Sequence, residues 1–251
     1  MIALRSGERY NCVRMYTYTE LCRRAVNAFK HAITRLLLRG NVPADAITFT
    51  GFVCSCIAAA AFAAGRFPWG GGMILLAGAC DVFDGAVAKA TGRVTSFGGF
   101  FDSCLDRYSD ILLLGGAGIY YAAHGPLRNV ILAVLAIGGS TLVSYTRARA
   151  ENIGVSCKVG FWERSERTFM IMLGGFFWRM PSILWELAIF ANITAAHRIY
   201  YTWKQLNKPS REFPRIPILS AILFWEYPRY TWQYDIYVGL GIVLPLIIKL
   251  Q

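Results

Sequence analysis

An all-α integral membrane fold follows from three features of this sequence. The 251-residue chain is 55% hydrophobic and 16% charged, where a soluble domain carries about 25% charged residues. Apolar runs close to the ~20 residues that cross a hydrocarbon core recur along it. Positive charge collects in alternate connections between those runs, as it does on the cytoplasmic side of membrane proteins. Together they predict six transmembrane helices preceded by an amphipathic interfacial helix, with a possible extra hydrophobic segment at the C-terminus.

The first forty residues form a basic arm and then the interfacial helix, expected over residues 18–40. Thr17 and Glu20 fit a capping box, and Gly40 suits a helix end. Leu21, Ala25, Phe29, Ile33, Leu36 and Leu37 make an apolar stripe opposite Arg23, Arg24, Lys30 and Arg35, the pattern of a helix lying in the membrane interface. Met1–Arg14 has no apolar core of a signal peptide. The six spans are read at 46–67, 69–88, 97–123, 126–145, 167–180 with flanks, and 182–203, so that residues 41–206 form the transmembrane catalytic unit. Residues 207–251 are a C-terminal extension, polar and proline-containing at first, then apolar again over 237–248. That last run is short, and spanning, re-entrant and packing helices all fit it.

Charge sets the orientation. The net charge is +11. Arginines and lysines crowd the N-terminal arm, the second and fourth connections and the stretch after the sixth span, whereas the odd-numbered connections carry only Arg66, Arg128 and Arg179. This predicts a multi-pass protein of the cell (inner) membrane with a cytoplasmic N-terminus. The basic pI then reflects one membrane face that meets anionic lipids, not nucleic acid. Cys12, Cys22, Cys54, Cys56, Cys80, Cys104 and Cys157 lack zinc-type spacing and read as small apolar fillers in a reducing compartment.

The chemistry is concentrated between Asp81 and Asp106. Asp81 and Asp84 are i,i+3 neighbours, and Asp102 and Asp106 are i,i+4 neighbours, so each pair lies on one face of its helix. Residues 91–96 are long enough to turn the chain back, and two antiparallel helices then aim four carboxylates at one point. Such a cluster in a low-dielectric setting needs positive charge. Lys89, Arg93 and Arg107 are close in sequence and offer salt bridges as the bland alternative, but four acids at one depth favour hard cations, Mg²⁺ or Mn²⁺, two per site. Two such ions bridge phosphoryl oxygens, which points to a pyrophosphate substrate. Gly85 and Gly98, at fixed offsets from the acids, would let a ligand approach the backbone; helix packing is the alternative.

The pattern D-x-x-D-G-x-x-A-[R/K]-x8-G-x3-D-x3-D, carried here by Asp81, Asp84, Gly85, Ala88, Lys89, Gly98, Asp102 and Asp106, resembles the signature of the CDP-alcohol phosphotransferases. Lys89 stands where that family usually has arginine. The resemblance covers roughly residues 18–206. It implies a homodimeric enzyme with a site open to the cytoplasm, which transfers a phosphate-linked group from a CDP-activated lipid or alcohol to a hydroxyl and releases CMP. It also implies Asp81, Asp84 and Asp102 as metal ligands, and Asp106 as general base near a metal. Thr48, Asp84, Gly85, Ala88, Lys89 and Gly98 would contact the nucleotide and diphosphate; for Thr48, capping of the first span's start is the alternative.

Two further motifs bear on the acceptor. Ser144-Tyr-Thr-Arg147-Ala-Arg149-Ala-Glu151 and Glu163-Arg164-Ser-Glu166-Arg167 are similar to those of the phosphatidylinositol phosphate synthases and their archaeal counterparts, with Arg147 in place of lysine. The resemblance makes Arg147, Arg167 and Arg198 the candidates for binding an acceptor phosphate, guanidinium being suited to a dianion. The donor expected is CDP-diacylglycerol or CDP-archaeol, and the acceptor a polar phosphorylated alcohol, foremost inositol 1-phosphate. Phosphatidylglycerophosphate and phosphatidylserine synthesis are the alternatives within the family. A cation transporter is the alternative outside it, but would spread its acids along a pathway rather than cluster them.

Overall fold

In the computed structural model, the described residues are 28, 30–157, 159–160, 162–207, 239, 243, 245 and 247. They are helical, with no strand among them. Most of the expected interfacial helix and the polar part of the C-terminal extension lie outside these residues. Residues 30–39 are helical, as expected for the end of that helix, and turn at Gly40.

Six longer helices follow: α1 (Ala44–Ala63), α2 (Phe67–Ala90), α3 (Ser96–His124), α4 (Leu127–Asn152), α5 (Arg164–Phe176) and α6 (Met180–Asn207). Their ends are written locally. Pro43 and Pro126, in extended conformation, precede α1 and α4, and Pro68 sits in the first turn of α2, where a missing N–H costs nothing. The Thr95 hydroxyl caps α3 by accepting from Gly98 N. Glu163 and Glu166 close a capping box at the start of α5.

α1 packs against α2 and α3, α4 against α3 and α6, and α5 against α2 and α6. The core between them contains Phe62, Phe67, Ile74, Leu113, Leu114, Met170, Ile183, Leu184 and Leu187. Small residues bring the helices close. A Cβ on Gly116 would stand 2.3 Å from the carbonyl oxygen of Ala59, and one on Gly175 2.9 Å from that of Phe67. The outer residues of α1 and α4, such as Phe49, Val53, Ile131 and Val134, are exposed and apolar, which suits a lipid-facing surface.

Among the described residues, α1, α2 and α4 are long and apolar enough to cross a membrane by composition alone. α3 carries Asp102, Asp106, Arg107 and Asp110, and α6 carries Glu186 and Arg198; the other two acids of the motif, Asp81 and Asp84, lie on α2. The fifth expected run, 167–180, differs from the structure: its helix is Arg164–Phe176, 13 residues or about 20 Å, shorter than the ~30 Å hydrocarbon core. The chain breaks at Phe177–Arg179, where Trp178 adopts φ 54°.

Candidate functional site

The ends of α2 and α3 meet as the acid spacing predicts. Side-chain oxygens of Asp81, Asp102 and Asp106 all lie within 4.8 Å of one another. Asp84, one turn from Asp81 on α2, is buried and turned toward α1: its Oδ2 accepts from the Thr48 hydroxyl at 2.6 Å, and its Oδ1 from Gly85 N at 2.5 Å. The four carboxylates therefore form three plus one, with the fourth tied to the first helix. All four line one cavity of about 430 Å³ with Thr48, Ser109, Arg164, Ser165 and Thr168. The rest of its wall is largely apolar and includes Phe52, Ile74, Leu75, Leu113 and Phe169. A cavity lined by both carboxylates and apolar side chains suits an amphiphile with a charged head.

The three clustered carboxylates offer hard oxygen donors at a spacing one divalent ion can bridge, so the residues present fit a metal. The cation that meets them within the protein is Arg164, not one of the sequence neighbours. Its Nη2 stands 2.6 Å from Asp106 Oδ1 and its Nη1 3.7 Å from Asp81 Oδ2. Arg107 instead turns back on its own helix and donates to the Ser103 carbonyl.

The remaining residues of the motif sit around the cavity rather than in its walls. A Cβ on Gly85 would meet nothing within 4 Å, so among the described residues this glycine packs against no other helix. A Cβ on Gly98 would lie 3.0 Å from Thr95 Oγ1 and 3.7 Å from Asp45 Oδ1, which brings the start of α3 beside the start of α1. Ala88 is half-buried and Lys89 exposed in the last turn of α2.

The arginine trio is engaged by the protein. Arg147 donates from Nε to Glu151 and from Nη1 to Glu163, both at 3.0 Å, with its side chain 35% exposed. Arg167 is 1% exposed; its Nη2 meets Asp110 Oδ2 at 2.8 Å and its Nη1 the Trp162 carbonyl at 3.1 Å. Arg198 is also buried and donates to the carbonyls of Val143 and Val159. The three guanidiniums gather around the α4–α5 connection, each bonded to it at residue 159, 162 or 163. Arg147 alone of the three can meet an incoming anion without breaking a buried bond.

Two residues of this region were not singled out in the sequence. Asp110 extends the i,i+4 series of Asp102 and Asp106 by one turn, and Arg164 lies in the Glu-Arg-x-Glu-Arg motif. Both signals were present, but only the fold shows that Arg164 reaches the acids and that Asp110 does not join them.

The sequence profile of the CDP-alcohol phosphatidyltransferase family matches residues 41–201. The chain belongs to this family. It is 38% identical over 192 residues to the archaetidylinositol phosphate synthase of Methanothermobacter thermautotrophicus, covering 72% of this chain and 96% of that one. It is 30% identical over 190 residues to the phosphatidylinositol phosphate synthase of Mycobacteroides abscessus, covering 72% and 86%. Crystal structures of the Mycobacterium tuberculosis phosphatidylinositol phosphate synthase share the fold. The complex with manganese and citrate gives a TM-score of 0.67 at 29% identity, covering 73% of this chain and 93% of that one. The form with CDP-diacylglycerol bound gives 0.66 at 28%, covering 74% and 98%. The chain is thus a membrane enzyme of the CDP-alcohol phosphatidyltransferase type.

Proposed function

We propose that this enzyme transfers a phosphatidyl or archaetidyl group from CDP-diacylglycerol or its archaeal ether analogue to the hydroxyl of inositol 1-phosphate, releasing CMP. The observation that carries the reading is the cluster of Asp81, Asp102 and Asp106 with Asp84 beside it, all lining one cavity together with apolar side chains. The named relatives and the CDP-diacylglycerol-bound neighbour support the choice of donor and acceptor.

Asp81, Asp84 and Asp102 would hold two Mg²⁺ or Mn²⁺ ions, with Asp106 beside them. When bound, the ions neutralise the carboxylates and polarise the diphosphate. Thr48 fixes the rotamer of Asp84, so one of its oxygens is aimed before substrate arrives. Asp106 takes the proton of the acceptor hydroxyl. The freed oxygen attacks the β-phosphorus of the CDP-lipid, the bond from that phosphorus to the CMP oxygen breaks, and CMP leaves with the electron pair. Arg164, 2.6 Å from Asp106, orients the base and faces the charge that develops on the phosphoryl oxygens. Gly85, Ala88, Lys89 and Gly98 would border the nucleotide, and the open space over Gly85 is consistent with that.

Arg147 would make first contact with the acceptor phosphate, while Arg167 and Arg198 supply positive potential behind it. The lipid tails remain in the bilayer and the acceptor enters from the cytoplasm, in a homodimer of subunits whose helices α1–α6 form the membrane domain. The exposed apolar faces of α1 and α4 support the membrane setting. The test is CMP release by the purified chain with CDP-diacylglycerol and Mg²⁺, comparing inositol 1-phosphate, glycerol 3-phosphate, inositol and serine. Release above background with inositol 1-phosphate foremost is expected; release only with one of the other three reassigns the acceptor. Arg147→Ala should raise the KM for the phosphorylated acceptor roughly tenfold, the loss of one charge-assisted bond, and leave that for the CDP-lipid near the wild-type value.

A further inference from the structure

Between α3 and α5 the structure holds an ion pair whose carboxylate, Asp110, has no part in the proposed reaction. Arg167 and Asp110 are 1% and 7% exposed at the side chain and meet at 2.8 Å. One turn earlier on each helix, Arg164 meets Asp106 at 2.6 Å. The two pairs are rungs of one ladder, spaced i,i+3 on α5 and i,i+4 on α3. The Arg167 rung is closed to solvent, and the Arg164 rung opens into the cavity.

We infer that Asp110 is a positioning residue for the phosphotransfer: through buried Arg167 it sets the rotation and depth of α5, and so holds the Arg164 guanidinium against Asp106 and Asp81. Stability alone does not account for the pair. Asp110 Oδ1 and Arg167 Nε are buried without hydrogen-bond partners, and a buried ion pair with unmet polar atoms gains little over apolar residues of the same volume. What such a pair does supply is a single geometry, because any other register of α5 strands two charges in the core. Arg167 is tied a second time to the Trp162 carbonyl, two residues before α5 begins. That tie fixes the helix start, where Glu163 and Glu166 form their capping box. Asp110 thus acts on the reacting groups at one remove, through the helix that carries Arg164.

This inference rests on the phosphotransfer reading, and its test separates the two. CMP release from CDP-diacylglycerol and inositol 1-phosphate is measured for the full chain, for Asp110→Asn, and for Asp110→Asn combined with Arg167→Gln, together with thermal stability and Mn²⁺ binding. Asp110→Asn is expected to lower kcat by about 100-fold, the effect of misplacing a group beside the reacting atoms, with both KM values and Mn²⁺ affinity little changed. The doubly neutral variant, which strands no charge, is expected to regain thermal stability while kcat stays low. Recovery of kcat along with stability would make the pair structural only and overturn the inference. So would wild-type turnover in Asp110→Asn, or loss of Mn²⁺ binding in parallel with kcat. A wild-type chain that releases no CMP with any acceptor would instead sink the phosphotransfer reading itself.

Discussion

Asp106 and Asp84 show how surroundings suit two chemically identical side chains to the different tasks proposed for them. Asp84 is buried and accepts from a hydroxyl on one oxygen and a backbone amide on the other, which fixes its carboxylate and leaves one acceptor site on each oxygen for a metal ion. Asp106 stands at the cavity wall with one oxygen against a guanidinium from a separate helix, which leaves its second oxygen for a proton. Asp106→Asn is accordingly expected to reduce kcat by at least 10²–10⁴-fold, the range of a general base, while equilibrium binding of the CDP-lipid persists. Equal loss of binding and turnover would assign Asp106 as a ligand only. At this scale the sequence was informative, since helical spacing alone aligned Asp81 with Asp84 and Asp102 with Asp106. It did not reveal Arg164, 58 positions beyond Asp106, because nothing local links the two.

Glycine separates packing from ligand access at the scale of the helices. Gly116 lies where α3 crosses α1, with the Ala59 backbone 2.3 Å from where its Cβ would be; Gly85 faces open space. Gly116→Ala should therefore push two helices apart and lower the thermal midpoint, at a cost of about 1–3 kcal/mol. Gly85→Ala should leave the midpoint near wild type, its helical propensity if anything improved, yet weaken CDP-lipid binding because the methyl group intrudes where the nucleotide is proposed to lie. A fall in stability for Gly85→Ala without a change in binding would return that glycine to a packing role. The fifth helix shows where hydropathy misled: apolar residues continue through Trp178, but the helix ends at Phe176 and the chain turns at Trp178. Phe67 packs edge-on to Trp178 at 5.4 Å, a contact between distant parts of the sequence.

The whole molecule brings three separate stretches of sequence to one cavity: the start of α1 with Thr48, the α2–α3 pair with the acids, and the start of α5 with Arg164. Removing divalent ions with a chelator should abolish CMP release, and Mg²⁺ or Mn²⁺ should restore it, since Arg164 alone cannot balance the charge of four carboxylates. Turnover unaffected by chelation would contradict the metal reading of the cluster. The sequence by itself determined the helical membrane class, the acid quartet and the family signature, because these rest on local spacing: apolar length, helical periodicity and fixed offsets between neighbours. Only the tertiary structure decided which charges meet. It split the quartet into three and one, placed Arg164 among the acids, buried Arg167 on Asp110, and drew Arg147 and Arg198 to the α4–α5 connection. Those pairings form between helices, and their geometry depends on how glycines and a shared apolar core let the helices approach, which no spacing along the chain records.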